Sequence, residues 1–306
     1  MTSLNEIDLS PGSNYVSYLD KGFVGLVDVM GDDSSIVQAA RVSYGKGTKT
    51  VQEDRALIRY LVRKMHTTPL EMVEFKFHLK MPIFVMRQHI RHRMANVNEY
   101  SGRYSVMTDE FYIPDLDRLQ AQSVTNKQGS GATLSDQERA HIMEIMLRVS
   151  DTNYKDYLSL INHEADDGRE GLSRELARII LPLNNYTELY WKTDLKNLLH
   201  FIKLRADPHA QKEIQDLARA MGHFVKAKCP WAWEAFEDYS QHAIMLSSLE
   251  QNLLQDIIQF SNTSGQSFAA SYNLMFQKVG DKKAMWTKYG MSKREFTEFE
   301  AQWNLN

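Results

Sequence analysis

The chain has 306 residues, 43% hydrophobic and 25% charged, which is enough to bury a substantial core and excludes wholesale disorder or a collagen-like chain. Thirty-six Lys and Arg against 39 Asp and Glu leave a formal net charge of −3, which argues against a general nucleic-acid coat while allowing a local basic site. The single cysteine, Cys229, excludes an internal disulfide and a cysteine zinc cage. No apolar run approaches the roughly 20 residues of a membrane helix, and the first residues lack a basic-then-apolar secretory pattern, so no membrane partner and a cytoplasmic location are expected.

In chain order, residues 1–18 are polar and read as a loose arm. Leu19–Met30 holds a short β-favouring run and predicts a strand. Asp32, Asp33 and Ser34 offer a cap for a helix through Ile36, Ala40 and Val42, and a second helix is expected over Glu53–Met65. Thr68, Pro69 and Glu71 have the spacing of a capping box with a favoured proline. Val73–Lys80 alternates apolar and polar residues and predicts a strand with one buried face. Pro82 then starts a helix to about His92, followed by an irregular segment and a short strand candidate at Phe111–Ile113. Residues 117–133, rich in Gln, Ser, Gly and Thr, predict a mobile surface loop.

Ser135 and Glu138 form a capping box for a long helix, Ser173 caps a helix carrying Arg174 and Arg178, and Asn185–Lys192 predicts a strand. Asp194 caps a helix to about Leu204, and another runs from His209 to about Lys228. Residues 240–306 add helices, one capped by Ser292 and Glu295 with Phe296, Phe299 and Trp303 at helical spacing. The expected fold is mixed α+β, with a central β-sheet, packed helices and a helical C-terminal extension.

The chemistry concentrates in residues 87–104, RQHIRHRMANVNEYSGRY, where Arg87, Arg91, Arg93, Arg103, His89 and His92 lie within 18 residues. Such a run is ordinarily a solvated basic face. Here it follows the apolar helix start IFVM and enters a loop with Asn98, Glu99, Ser101 and Gly102. Ser101-Gly102-Arg103 combines a hydroxyl, approachable backbone N–H groups and a guanidinium fork, a sensible phosphate site. Arg178 and Arg205 are further cations able to converge on it, or simply partners for Glu175 and Asp207. His89 and His92 have no third ligand at convincing spacing, and neighbouring arginines repel a cation, so no metal is expected.

Arg91-His92-Arg93, seven residues and then Ser101 form the RHR-x7-S signature, and the chain resembles the flavin-dependent thymidylate synthase family. LDKGFVGLVDVMG, AARVS, MPIFVMRQ, NEYSGRYS, FYIP, ARIILPLNNYT, LRADPHAQKEIQ and KCPWAWEAF follow that family in order and spacing. The resemblance covers 19–239 as a catalytic domain, leaving 1–18 as an arm and 240–306 as an extension of unknown role.

The resemblance implies methylation of dUMP to dTMP, with 5,10-methylenetetrahydrofolate giving the carbon and NADPH-reduced FAD the hydride, in a homotetramer with shared active sites. It assigns Gln88, Arg91, Glu99, Ser101, Gly102, Arg103, Arg178 and Arg205 to dUMP. It assigns Ser43, Thr68, Glu71, Arg91, His92, Arg93, Glu99, Asp194, Lys196 and His200 to FAD. His66 and Tyr104 match aromatic positions near flavin and folate, and Arg205, Arg91 and His66 are the catalytic candidates. Some family members carry Asn, Arg and Asn where this chain has Asp194, Lys196 and His200; Asp194 also reads as a plain helix cap. No protein nucleophile is implied, since Ser101 has no base beside it in the sequence. The alternatives are a nucleotide-binding protein without turnover and a nucleic-acid-binding module; the net charge, and the absence of a basic stripe outside 87–104, speak against the second.

Overall fold

The computed structural model describes residues 13–42, 51–124, 129–163 and 168–305. The chain divides into two compact units, Met1–His242 and Ala243–Asn306.

The first unit is built on β1 (Tyr15–Tyr18), β2 (Gly22–Met30), β3 (Glu74–Pro82), β4 (Asn96–Glu99), a separate ribbon of β5 (Gln120–Gln122) and β6 (Ser130–Thr133), and β7 (Tyr186–Asp194). The main sheet has the order β1-β2-β3-β7-β4, and every pairing in it is antiparallel. Its helices are α1 (Asp33–Val42), α2 (Val51–Arg63), α3 (Ile83–His89), α4 (Asp136–Leu160), α5 (Arg174–Ala177), α6 (Leu195–Arg205), α7 (Lys212–Lys228) and α8 (Pro230–Phe236). None of the described helices is long and apolar enough to cross a membrane.

The alternation of β3 puts Phe75, Phe77 and Leu79 into the core, where Phe77 meets Trp191 of β7 and Phe224 of α7. The expected polar face is open only at its start. His78 and Lys80 are buried: Tyr15, Phe23 and Tyr190 enclose the His78 ring, which pairs with Glu188 at 2.6 Å, and the Lys80 ammonium donates to Glu110 at 2.7 Å. Covering both faces requires that the polar groups be paired, and they are. Asp33 joins distant parts of the same core by accepting from the Trp231 and Ala232 amides at 2.7 and 3.0 Å, which caps α8.

Several local expectations are corrected. The arm is not wholly loose, since Tyr15–Tyr18 pairs with β2. The irregular segment after the basic helix holds β4, and the Phe111 candidate strand is reduced to a single bridge with Asn185. The short turn at Thr68–Met72 is a 3-10 helix whose cap position is Thr67, without a side-chain capping bond, so Thr68 does not cap it. Within the segment 117–133 the described residues hold the end of a short 3-10 turn and the β5–β6 ribbon, tied by the Gln122 amide on the Gly129 carbonyl at 3.0 Å.

The second unit consists of α9 (Ser248–Ser264), α10 (Phe268–Val279), α11 (Lys282–Lys288) and α12 (Lys293–Gln302) around its own core of Leu253, Ile257, Tyr272, Met285, Phe296 and Phe299. Capping boxes at Ser247–Glu250 and Ser292–Glu295 start α9 and α12.

Candidate active site

The sheet register brings the basic segment to α6. β3 and β7 run antiparallel from Glu74↔Asp194 to Pro82↔Tyr186, so α3 starts where β7 begins. At its end α3 meets the other end of β7: His89 packs edge-on against Trp191 and against Phe201 of α6, with centroids 4.7 and 5.0 Å apart. The next residues, Arg91-His92-Arg93, therefore face α6. Between them lies a cleft of about 350 Å³ lined by Arg91, His92, Arg93, Asn197, His200 and Arg205, with Trp191 and Thr193 of β7 in its wall.

The electrostatics of this cleft are one-sided. Among the described residues none of Arg91, Arg93 and Arg205 has a carboxylate partner within an ion-pair distance. Burial and the nearby Arg91 both lower the Arg205 pKa. Arg205 Nε donates to His92 Nε2 at 2.9 Å, which requires the His92 proton on Nδ1. Burial, then Arg205 and His200, push His92 down to about 4, so it is a neutral acceptor at neutral pH. Deeper still, His89 is fully buried and neither ring nitrogen has a partner; burial, with smaller contributions from His92 and Arg205, lowers it to about 3.

Asp194, Lys196 and His200 separate in this geometry. His200 lines the cleft. Asp194 is a helix cap, its carboxylate accepting from the Asn197 backbone and side-chain amides at 2.9 and 2.6 Å, and Lys196 donates to Asn197 Oδ1 at 3.1 Å. Both hold Asn197, which does line the cleft. Asn197 escaped the sequence reading, although it lies three residues before His200 and so on the same helix face.

The phosphate-type turn lies in a second place. Ser101 Oγ accepts from the Arg103 amide at 3.3 Å, and Arg103 pairs with Glu175 at 3.1 Å. Arg178 packs over Gly102: a Cβ there would stand 3.2 Å from Arg178 Cδ and 2.8 Å from Met107 Sδ, so a side chain would displace its neighbours. Arg103, Tyr104 and Glu175 line a cleft of about 540 Å³ that shares no described lining residue with the first.

The remaining candidates are dispersed. Glu99 on β4 is exposed and accepts from Thr187 Oγ1 at 2.7 Å; Gln88 on α3 donates to Gln211 at 2.5 Å. His66 is exposed just before the 3-10 turn and lies edge-on to Tyr60, and Thr68 is exposed at the start of that turn, which also carries Glu71. Ser43 lies outside the described residues. Cys229 is fully buried, and burial raises its thiol pKa, so it is no thiolate nucleophile. Among the described residues no group of three or more His, Cys, Asp and Glu is gathered to hold a metal ion.

The chain is thus a mixed α+β protein with an antiparallel sheet and a carboxylate-poor, arginine-rich cleft. Comparison with known proteins names the family. The family described as thymidylate synthase complementing protein matches residues 25–231. The flavin-dependent thymidylate synthase of Ruegeria pomeroyi is 53% identical over 245 residues, covering 78% of this chain and 80% of the relative. That of Thermus thermophilus is 52% identical over 243 residues, covering 79% and 86%. A crystal structure of the UMP/dUMP methylase PolB from Streptomyces cacaoi, bound with 5-Br UMP, aligns with a TM-score of 0.64 at 31% identity over 74% of this chain and 98% of that one. The chain belongs to the flavin-dependent thymidylate synthase family.

Proposed function

We propose that this chain converts dUMP to dTMP, using 5,10-methylenetetrahydrofolate as carbon donor and FAD reduced by NADPH as hydride donor, as a homotetramer in the cytoplasm. The observation that carries the reading is the cleft around Arg91, His92, Arg93 and Arg205, where three guanidinium groups have no carboxylate counter-ion among the described residues. An anionic, phosphate-bearing ligand fits that donor set.

FAD in this cleft would supply the hydride. Arg91, His92, Arg93, Asn197 and His200 are the residues that would hold it, with Thr68, Glu71 and Ser43 from the neighbouring blocks. The chain's own part is orientation and positive charge. Arg205, fixed at Nε by His92, keeps its outer guanidinium nitrogens free to face a pyrimidine ring and stabilise negative charge developing there. Ser101, Gly102, Arg103 and Arg178 form the phosphate end of the dUMP site, with Gln88, Glu99 and Arg91 along it. Holding the partners together makes carbon and hydride transfer effectively intramolecular.

The separation of the two clefts within one chain favours sites completed between subunits. So do the exposed apolar residues Leu172, Leu176, Ile179 and Leu183 along the segment that lines and follows the second cleft, of which Ile179 is 72% and Leu183 62% exposed.

The test is product formation. Purified protein given dUMP, methylenetetrahydrofolate and NADPH should form dTMP, with a mass in solution four times that of the chain. Bound dUMP without dTMP would favour the non-catalytic alternative.

A further inference from the structure

α7 opens on a buried carboxylate that the proposed reaction does not use. Glu213 is the second residue of α7 and is 3% exposed. Four donors converge on it. Arg118 Nε donates to Oε1 at 2.9 Å and an outer nitrogen of the same guanidinium to Oε2 at 3.1 Å. The Tyr112 hydroxyl donates to Oε1 at 3.2 Å and the Gln211 side-chain amide to Oε2 at 2.8 Å. The first turn of α7 also places the charge at the positive end of the helix dipole. A buried carboxylate with this set of charge-assisted bonds is held in one place. The start of the helix is fixed in turn, because the buried Tyr18 hydroxyl donates to the Glu213 backbone carbonyl at 2.7 Å.

Gln211 occupies the cap position of α7, yet its side chain makes no capping bond. Both ends of its amide are engaged elsewhere. The nitrogen donates to Glu213, and the oxygen accepts from Gln88 Nε2 at 2.5 Å. The direction of these bonds follows from chemistry. A carboxylate paired with a guanidinium only accepts, so the end of the Gln211 amide that meets it is the NH2 group. That turns the Gln211 oxygen towards Gln88. An oxygen here only accepts, so Gln88 must present its own NH2 group to it. The Gln88 oxygen is left with no protein donor among the described residues.

Gln88 stands three residues before Arg91, and its backbone carbonyl accepts from the Arg91 amide at 3.4 Å. The contact with Gln211 therefore acts where α3 enters the basic segment.

We infer that Gln211 is a positioning residue for the nucleotide: locked by Glu213, it orients the Gln88 amide so that the Gln88 oxygen is the acceptor for a hydroxyl or ring N–H of dUMP. The inference rests on the placement of Gln88 in the dUMP site under the proposed function. It also gives a part to the segment 117–133. Arg118 ends the 3-10 turn Leu116–Arg118 and supplies the cation that fixes Glu213, so a turn outside the site helps to set a side chain within it.

The test is calorimetric titration of the full chain, with its flavin, by dUMP, with steady-state kcat and KM measured alongside. Gln211→Met removes the contact at an exposed position without a capping role, so the fold should be kept. Its Kd for dUMP should rise about three- to tenfold, the effect of one misoriented hydrogen bond, with kcat within about twofold. Gln88→Ala should give a similar rise. Adding Gln211→Met to Gln88→Ala should then change Kd by less than about twofold, because a residue acting through Gln88 has nothing left to act on. Dideoxyuridine monophosphate, which lacks the sugar hydroxyl, identifies the donor. Gln211→Met should weaken its binding less than that of dUMP if the hydroxyl is the donor, and equally if the ring N–H is. A Kd unchanged by Gln211→Met but raised by Gln88→Ala would overturn the relay and leave the nucleotide site standing. A Kd unchanged by Gln88→Ala would remove Gln88 from that site, and the inference with it. Additive effects in the double variant, or a loss of kcat at unchanged Kd, would also overturn it.

Discussion

Replacing His89 by Phe should stabilise the protein, although it alters a fully buried side chain two residues from Arg91. The His89 ring lies between Trp191 and Phe201, and neither nitrogen has a hydrogen-bond partner. Each buried unpaired polar atom costs about 1–3 kcal/mol, whereas a ring of similar shape without those atoms costs little. The neutral-pH gain is therefore about 1–3 kcal/mol, after allowance for the slightly larger phenyl ring.

The pH dependence gives a second, independent sign. Burial holds His89 at about 3 against an ordinary 6.5, so the unfolded chain binds a proton that the folded chain refuses. That makes stability complete above about pH 6.5 and progressively lost as pH falls towards 3, by about 2 kcal/mol at pH 5 and about 5 kcal/mol across the window. His89→Phe removes this contribution, so its advantage over the parent protein should widen on acidification. The assay is urea unfolding at fixed protein concentration between pH 7.5 and about 5, since the proposed assembly would make apparent stability concentration-dependent. A variant less stable at pH 7, or one whose acid sensitivity matches the parent's, would refute the reasoning.

Three further substitutions probe the site. Arg205→Ala should lower turnover by about 10²–10³-fold with flavin retained; loss of the flavin instead would make Arg205 a cofactor ligand. The same change should let the His92 pKa rise from about 4, because burial and then Arg205 hold it down; ring NMR signals report it. Gly102→Ala should raise KM for dUMP several-fold with little change in kcat, by pushing Arg178 aside; an unchanged KM would remove Arg178 from the nucleotide site. Asp194→Ala should cost about 1 kcal/mol through the lost cap and reduce retained flavin by freeing Asn197; more flavin retained would mean that the carboxylate repels the cofactor.

The sequence carried the main strands and helices because their signals are local. The β-pattern of β3 and the Ser135–Glu138 and Asp194 caps each act within a few residues; the strand and both caps appear in the structure, while the single buried face expected of β3 holds only over its first residues. β4 could not be read, because all four of its residues are exposed and it is held by backbone pairing to β7 at the sheet edge. β1 is also an edge strand and only four residues long, and it was hidden at the end of a polar arm although Tyr18 is buried. The burial of His78 and Lys80 depends on Tyr15, Glu110 and Glu188, partners far away in sequence.

The site divides in the same way. The basic cluster and the turn at Ser101–Arg103 are contiguous and stand out by composition. That Arg205 meets His92, 113 residues away, follows only from the β3–β7 register and the packing of α3 against α6. The distinction among Asp194, Lys196 and Asn197 depends on which direction each side chain takes from the first turn of α6, which residue type does not determine.

The central claim is that a flavin accepts a hydride from NADPH in this cleft and passes it on to dUMP. An anaerobic visible spectrum of the purified protein tests it most directly, recorded before and after NADPH and then with dUMP and methylenetetrahydrofolate. The account predicts a flavin band that bleaches with NADPH and returns, with dTMP formed, when both substrates are present. A protein that stays colourless after added FAD, or a bleached band that dUMP and the folate do not restore, would contradict it.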